Sequence, residues 1–464
     1  MKMKRSANLA SWGSAFWGAA FWGFVFWGFV FWIIATWLSV SNASHAESLN
    51  TDASNANANA NANANAKTTY QENAHLNYDY FTYNNHDLNV GAEQFDKYLS
   101  LLAGKRVSLV VNQSSVVNYR SHETQHLLDA LLARSINVVS IMSPEHGFRG
   151  NKSAGEKVSS EVDAKTGLPI HSLYGALKKP SPDMLKNVDI LVFDIQDVGV
   201  RFYTYLSTLH YVIEAAFEHN IDVIVLDRPN PNIAHIDGPI LEPKFSSFIG
   251  MHPIPVLHGM TLGELARMIV GEKWLDTHSR AELSVIPVAN YTRSTSYSLP
   301  IAPSPNLPND NAIRLYPTLC FFEGTAVSIG RGTDVPFQLI GHPEVKLGEH
   351  KIEVKPNAGA NKPKHNGKTI YANILNENDV ASASISGLKL QPLIDVYRKM
   401  NEAQKTFFTR PDFFDKLAGN SSLRKAIIMG ITASEIKASW QAELSQFEKQ
   451  RAPYLIYPYN AASD

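Results

Sequence analysis

Glu145 stands in the stretch Ser143-Pro144-Glu145-His146-Gly147-Phe148-Arg149-Gly150, whose residue types suit general acid–base chemistry. Proline stiffens the chain ahead of the carboxylate, and the two glycines permit tight turns behind it. Burial against an aromatic ring raises a carboxyl pKa and a nearby guanidinium lowers it, so Phe148 and Arg149 could tune Glu145 in either direction. Cleavage of a glycoside needs a carboxylic acid still protonated near neutral pH, able to protonate the leaving oxygen. Glu145 is the candidate for that acid. The competing reading is a structural carboxylate that ties down its own loop through Arg149.

A two-acid mechanism needs a second carboxylate, and Glu156, Asp194, Asp197 and Asp227 are available. Asp194 and Asp197 are the preferred partners for Glu145. Both follow a hydrophobic run where an unpaired charge is costly, so each should have a cationic neighbour, with Arg201 and Arg228 closest in sequence. A salt-bridged scaffold is the alternative for either one. Tyr174, Phe202, Tyr203 and Tyr205 supply flat rings that could pack on a pyranose, although core packing is the commoner fate of any single aromatic. His146, His171, His210, His235, His252, His258 and His342 are scattered, with no His-x-x-x-His or His-Glu-x-x-His spacing, so no metal is expected. His258 remains a candidate cleft residue. Thr261 and Glu264 beside it have the spacing of a helix capping box.

Positioning these groups requires a sheet. Arg106–Val111, Asn137–Met142, Val188–Phe193, Asp222–Leu226 and Leu283–Val288 are short apolar, β-branched runs. Between them His122–Arg134, Thr204–Glu218 and Thr261–Val270 have helical spacing. Strands alternating with amphipathic helices imply βαβ units, a parallel sheet and a three-layer α/β domain. The first four strands run into Asn112-Gln113, into Ser143–His146, into Asp194, Gln196, Asp197 and Arg201, and into Asp227, Arg228 and Asn230. In open parallel sheets ligands bind beyond the carboxyl ends of the strands, so one polar rim is the expected site. No Gly-x-Gly-x-x-Gly follows the first strand and no Walker-type Gly-Lys-Ser/Thr occurs, so no nucleotide cofactor is expected. Gly330-Arg331-Gly332-Thr333 lacks the strand-to-helix setting of a phosphate loop.

At 464 residues the chain has room for more than one domain, and a formal charge of −1 argues against a nucleic-acid binder. Cys320 is the only cysteine, which rules out an internal disulfide and a cysteine zinc cage. Residues 1–46 read as a targeting segment: Lys2, Lys4 and Arg5, an apolar run with tryptophan at every fifth position from Trp12 to Trp37, then Ser44-His45-Ala46 as a signal-peptidase site. The protein is therefore expected to be exported, periplasmic or extracellular, with residues 8–40 long enough to stay in the membrane as an anchor if uncleaved. Asn and Ala alternate from Asn55 to Ala66, so 47–90 reads as a flexible linker. Residues 91–299 form the expected catalytic domain, and the prolines at 300, 303, 305 and 308 mark the passage into a smaller C-terminal α/β domain, 300–464. There Cys320–Ile329 contains a strand-like run, and Leu390–Met400, Ser422–Met429 and Ala433–Arg451 read as helices, with Trp440 and Phe447 on a core face.

The whole of 91 to the end resembles the exo-β-N-acetylmuramidase family. The resemblance is carried by residues 143–150, Ala154-Gly155-Glu156, Thr166-Gly167-Leu168-Pro169, Ser172-Leu173-Tyr174-Gly175 and the long run Val192–Tyr205. Leu226–Pro231, His258–Thr261, Pro303–Pro308, Glu323-Gly324-Thr325 and Gly330–Thr333 carry the rest. It implies release of terminal N-acetylmuramic acid from the non-reducing ends of peptidoglycan fragments, in a cleft between the Rossmann-like domain and the C-terminal domain, with Glu145 as the acid and no nucleotide. Substrate contacts are expected from Asn112, His146, Arg149, Glu156, Gln196, Arg201, Tyr203, Asp227, Arg228, Asn230, His258 and Asn306. Arg331 could anchor the lactyl carboxylate through its planar fork, or could simply make a loop-stabilising ion pair. The chain departs from the family pattern at Asn232–His235, at Ile301-Ala302 and in the Lys- and Asn-rich stretch Val345–Asn373. A peptidoglycan amidase and a non-catalytic wall-binding protein are the rival classes.

Overall fold

Along Ile190–Asp194 successive side chains enter opposite cores. Ile190 and Val192 join Tyr98, Leu128 and Leu131, whereas Leu191 and Phe193 join Leu209, Val212 and Leu265. A strand covered on both faces can be apolar throughout, which is why it reads as a continuous hydrophobic run. The structure, a computed structural model, describes residues 88–459 except 119–123, 146, 149–160, 176 and 278. The targeting segment and all but the last three residues of the expected linker lie outside the described residues.

In chain order the strands are β1 (Val107–Val111), β2 (Val116–Val117), β3 (Gln125–His126), β4 (Val138–Ser143), β5 (Glu161–Val162), β6 (Pro169–Ser172), β7 (Ile190–Asp194), β8 (Asp222–Leu226) and β9 (Leu283–Ile286). Seven of them form one sheet in the order β5-β6-β4-β1-β7-β8-β9. Every pairing is parallel except β5 against β6. The helices Tyr205–Glu218 and Leu262–Gly271 cover one face, and Phe95–Leu102 and Leu127–Leu132 cover the other. Thr261 accepts from the Glu264 amide and Glu264 accepts from the Thr261 amide, so the expected capping box starts the helix there.

Three expectations fail locally. The helix expected over His122–Arg134 begins only at Leu127, because Gln125–His126 pairs with Val116–Val117 and the His126 ring caps the Leu128 amide at 3.2 Å. Cys320–Ile329 holds no named strand: Cys320–Gly324 is a 3₁₀ helix that continues from the helix Asp310–Leu319, and Ser328 makes only an isolated bridge to Gly341. The last expected helix is two, Ala433–Ser439 and Gln441–Arg451, broken where Trp440 leaves helical geometry (φ −104°, ψ 2°). Trp440 and Phe447 are buried in the core, as their spacing predicts.

Beyond residue 310 the chain adds a small antiparallel sheet of β10 (Leu339–His342), β11 (His350–Glu353) and β12 (Thr369–Ile374), together with short helices. Phe321, Phe414, Leu444 and Phe447 share one apolar cluster with Leu206, Leu209 and Phe193. The C-terminal elements thus pack on the same core that covers one face of the sheet.

Candidate active site

β4 ends at Ser143, and the next residues turn sharply: the Gly147 amide donates to the Pro144 carbonyl at 3.1 Å, with Gly147 at φ +76°. Glu145 stands on that turn, half-buried. Thr204, just ahead of the helix that follows β7, donates its hydroxyl to Glu145 Oε2 at 2.8 Å. Tyr205 and Tyr316 are held protonated chiefly by burial, and the nearby charge of Glu145 adds to that effect. Glu145 is therefore hydrogen-bonded on one side and walled by phenols on another.

It faces a cavity of about 870 Å³, large enough for a sugar and its substituents. Strand-end loops supply Glu145, Tyr174 and Phe202–Tyr205. The proline-rich connection supplies Ser304, Asn306 and Leu307, and the C-terminal elements supply Tyr316, Glu323, Arg331, Phe337 and Arg410. Residues 359–364, between β11 and β12, complete the wall with Lys362 and Lys364. Tyr203, Tyr316 and Phe337 form an edge-to-face series with centroids 5.8 and 5.0 Å apart, and Tyr203 packs against Tyr205 at 4.9 Å. Tyr203 and Tyr205 donate to the Pro303 carbonyl at 3.0 and 3.2 Å, which pins the connection to the sheet. Asn306 donates to the Gly359 carbonyl at 2.6 Å and so fastens the β11–β12 loop.

Among the described residues the carboxylates lining this cavity are Glu145 and Glu323. Glu323 accepts from Arg331 Nε. Burial works to raise its pKa, but Arg331, Lys364 and Arg410 outweigh it and hold the carboxyl below its usual range. The Lys364 ammonium donates to three backbone carbonyls, those of Phe322 and Val327 at 2.9 Å and that of Thr325. Burial depresses Lys364 to about 8 despite the opposing pull of Glu323.

Of the expected site residues, Glu145, Tyr203, Asn306 and Arg331 meet on this wall. His146, Arg149 and Glu156 lie outside the described residues. The others are buried, do not line the cavity, and hydrogen-bond to groups within the protein. Asp194 accepts both Nε and Nη2 of Arg228, the latter at 2.9 Å, and is wholly buried. Asp227 accepts from Thr261 and Tyr457 hydroxyls at 2.6 Å and from the Gly263 amide at 2.9 Å. A Cβ on Gly263 would lie 2.6 Å from the Asp227 carboxyl carbon, so only glycine allows that approach. Asp227 is pushed up to about 6 by burial, and Asp197 to about 7. Asp197 Oδ2 accepts from the Gly199 amide at 2.6 Å, while Oδ1 has no partner among the described residues. Gly199 itself sits at φ +75° against the Asn230 side chain.

Arg201 donates to the carbonyls of Pro239, Ile254 and Leu417 at 2.7, 2.7 and 2.9 Å, and burial lowers it to about 9. Asn112 bonds the Tyr205 hydroxyl at 3.0 Å, Gln196 the Asp197 and Pro229 carbonyls, and Asn230 the Met260 carbonyl. His258 accepts from the Met260 amide at 3.2 Å, and burial, reinforced by Arg451, holds its imidazole down to about 3. These groups position the wall; they do not form it. Lys364 and Arg410 stand on the wall without a motif to mark them, whereas Thr204 and Glu323 were marked only as parts of motifs. Among the described residues no cluster of three or more His, Cys, Asp or Glu side chains is arranged to hold a metal.

The chain matches the family description Exo-beta-N-acetylmuramidase NamZ, N-terminal, over residues 107–311, and the corresponding C-terminal description over 314–457. It is 42% identical over 380 residues to the peptidoglycan beta-N-acetylmuramidase NamZ of Bacillus subtilis, covering 78% of this chain and 89% of that protein. Two crystal structures of DUF1343 family proteins from Bacteroides fragilis share the fold. One has a TM-score of 0.72 at 44% identity, covering 81% of this chain and 100% of its own. The other has 0.66 at 29% identity, covering 80% and 99%.

Proposed function

The chain belongs to the exo-β-N-acetylmuramidase family, and from that premise we propose that it is a glycoside hydrolase releasing terminal N-acetylmuramic acid from the non-reducing ends of peptidoglycan fragments. The observation that carries the mechanism is Glu145 on the cavity wall, anchored by the Thr204 hydroxyl and surrounded by tyrosines. Glu145 is the proton donor to the glycosidic oxygen. Glu323, kept ionised by its cations, is the second carboxylate of the site and faces the positive charge that develops on the sugar ring. Two carboxylates in different surroundings thereby take different roles. Asp194 and Asp197 are left with a scaffold role, since neither lines the cavity. The tyrosine and phenylalanine rings offer flat surfaces to the pyranose.

The substrate lies outside the cytoplasmic membrane, and the basic start, apolar run and Ser44-His45-Ala46 site support export to the periplasm or beyond, either released or held by residues 8–40. The deciding experiment is incubation of the purified protein with peptidoglycan fragments and with a nitrophenyl N-acetyl-β-muramide, with and without chelator. Free N-acetylmuramic acid and nitrophenol are expected in both conditions. Release of peptide instead of sugar would make the protein an amidase, and binding without turnover would make it a wall-binding protein.

A further inference from the structure

Among the described residues the cavity wall carries four cations, Arg331, Lys362, Lys364 and Arg410, against the two carboxylates Glu145 and Glu323, an excess of two positive charges. The excess grows by one whenever Glu145 is protonated for its task. Such a wall suits a ligand that brings its own negative charge. Terminal N-acetylmuramic acid brings one, on the lactyl arm of its third oxygen.

The cations are not equally free to receive it. Lys364 has three N–H groups, and each is given to a backbone carbonyl. Arg331 is committed through Nε to Glu323, and its guanidinium lies 5.0 Å from the centroid of Phe337. Arg410 is different. Its backbone amide donates to the Gly324 carbonyl at 2.9 Å, one residue beyond Glu323, and its own carbonyl receives the Phe413 and Phe414 amides at 3.1 and 3.0 Å. The main chain at Arg410 is thus fixed at the start of the helix Pro411–Ala418. Its guanidinium lies over the Phe413 ring, 4.2 Å from the centroid. Stacking uses the face of the guanidinium and leaves the in-plane N–H edge unoccupied. Among the described residues no carboxylate pairs with it, yet its charge is felt by both Glu323 and Lys364 within the cavity.

We propose that Arg410, stacked on Phe413 with its donor edge free, receives the substrate's lactyl carboxylate, and that Arg331 serves to hold Glu323. Arg410 is then the specificity determinant for muramic acid with a free lactyl acid, over sugars whose lactyl group is amidated. This rests on the proposed hydrolysis of terminal N-acetylmuramic acid and names which side chain recognises that sugar. The carboxylate is remote from the bond being cleaved, so its contact persists unchanged from ground state to transition state. Its loss belongs in KM rather than kcat.

The test uses the whole protein with two probes, a nitrophenyl N-acetyl-β-muramide and the same compound with its lactyl acid converted to the carboxamide. Loss of a bidentate charge-assisted contact is expected to lower kcat/KM of Arg410→Gln on the acid roughly 10- to 100-fold, mainly through KM. The carboxamide should lose far less than the acid, sharing only the effect of Arg410 on Glu323, so the preference for the acid disappears. Arg410→Lys, which keeps the charge but not the fork, should recover part of it. Equal losses on both probes, or no loss on the acid, would overturn the assignment while leaving the hydrolase reading intact, because the wild-type protein would still cleave. Failure of the wild-type protein to cleave the acid would overturn the hydrolase reading and this assignment together.

Discussion

The carboxyl edge of the sheet and the wall of the cavity are both dense in charge, and they treat it in opposite ways. Along the edge, most of the charge is answered within the protein, although Asp197 Oδ1 and Arg201 Nε have no partner among the described residues. Asp194 is closed by Arg228, Asp227 by two hydroxyls and an amide, and Arg201 by three carbonyls. On the wall, Thr204 donates to Glu145, Arg410 lies over a ring, and among the described residues cations outnumber carboxylates. A matched network fixes geometry, whereas capacity left facing a cavity is what a ligand can use. Strand-end position alone does not tell the two apart.

The sharpest way to break this contrast is to substitute the same kind of atom in each region. Glu145→Gln keeps shape but removes the transferable proton, so kcat on natural fragments should fall about 10²–10⁴-fold with little change in Tm. A nitrophenyl leaving group needs less protonation and should be partly spared. Equal losses on both substrates would make Glu145 a binding residue or nucleophile. Asp194→Asn should do the reverse. It leaves Arg228 buried without its counter-ion, at a cost of about 3–5 kcal/mol in urea unfolding, while the folded fraction keeps near-normal kcat. A stable Asp194→Asn protein with no activity would put Asp194 back into the chemistry.

A smaller effect concerns pH. Burial raises Asp197 to about 7, so between about pH 4 and 7 the native state holds a proton that the unfolded chain has lost. Its contribution is fully present below about pH 4 and is lost as pH rises through about 7. Asp197→Asn removes that loss, so the stability difference between variant and wild type should move in favour of the variant, by on the order of a few kcal/mol, from pH 4 to 8. Thermal unfolding across that range checks it, and a pH-independent difference would mean that Asp197 is ionised throughout. Smallest is Thr204→Val, which removes the hydroxyl on Glu145 Oε2. A loss of about 1 kcal/mol of hydrogen bonding predicts roughly a fivefold drop in kcat/KM, read from initial rates.

The sheet was legible because its strands are covered on both faces and therefore apolar from end to end. β8 occupies the expected Asp222–Leu226, and β1, β4 and β7 fall within one or two residues of expectation. The place of Glu145 beyond a strand end was legible because Pro144 and Gly147 bracket a turn there, and that turn puts it on the cavity wall. Asp194, Arg228 and Asp227 drew attention for the same polarity, but whether a strand-end charge faces a cavity or a neighbour depends on elements hundreds of residues away. Tyr457, which bonds Asp227, is the clearest case. Lys364 and Arg410 were passed over because they reach the wall from a lysine-rich loop and a helix start, settings where charges are ordinarily solvated. The break at Trp440 left no mark in the helical spacing, since Ile436, Trp440 and Leu444 are buried across it.

The three carbonyls around Arg201 also bear on how the chain is made. Two belong to Pro239 and Ile254, but the third belongs to Leu417, and the partners of Asp227, Glu264 and Gly259 include Tyr457, Ile456 and Arg451. Synthesis runs from the amino terminus, so every strand of the main sheet leaves the ribosome well before these groups exist. Until then a guanidinium and two carboxylates at the sheet edge lack partners from their final surroundings. A nascent chain stopped after the proline-rich connection would carry Arg201, Asp227 and Glu264 without these partners, which only the C-terminal residues supply.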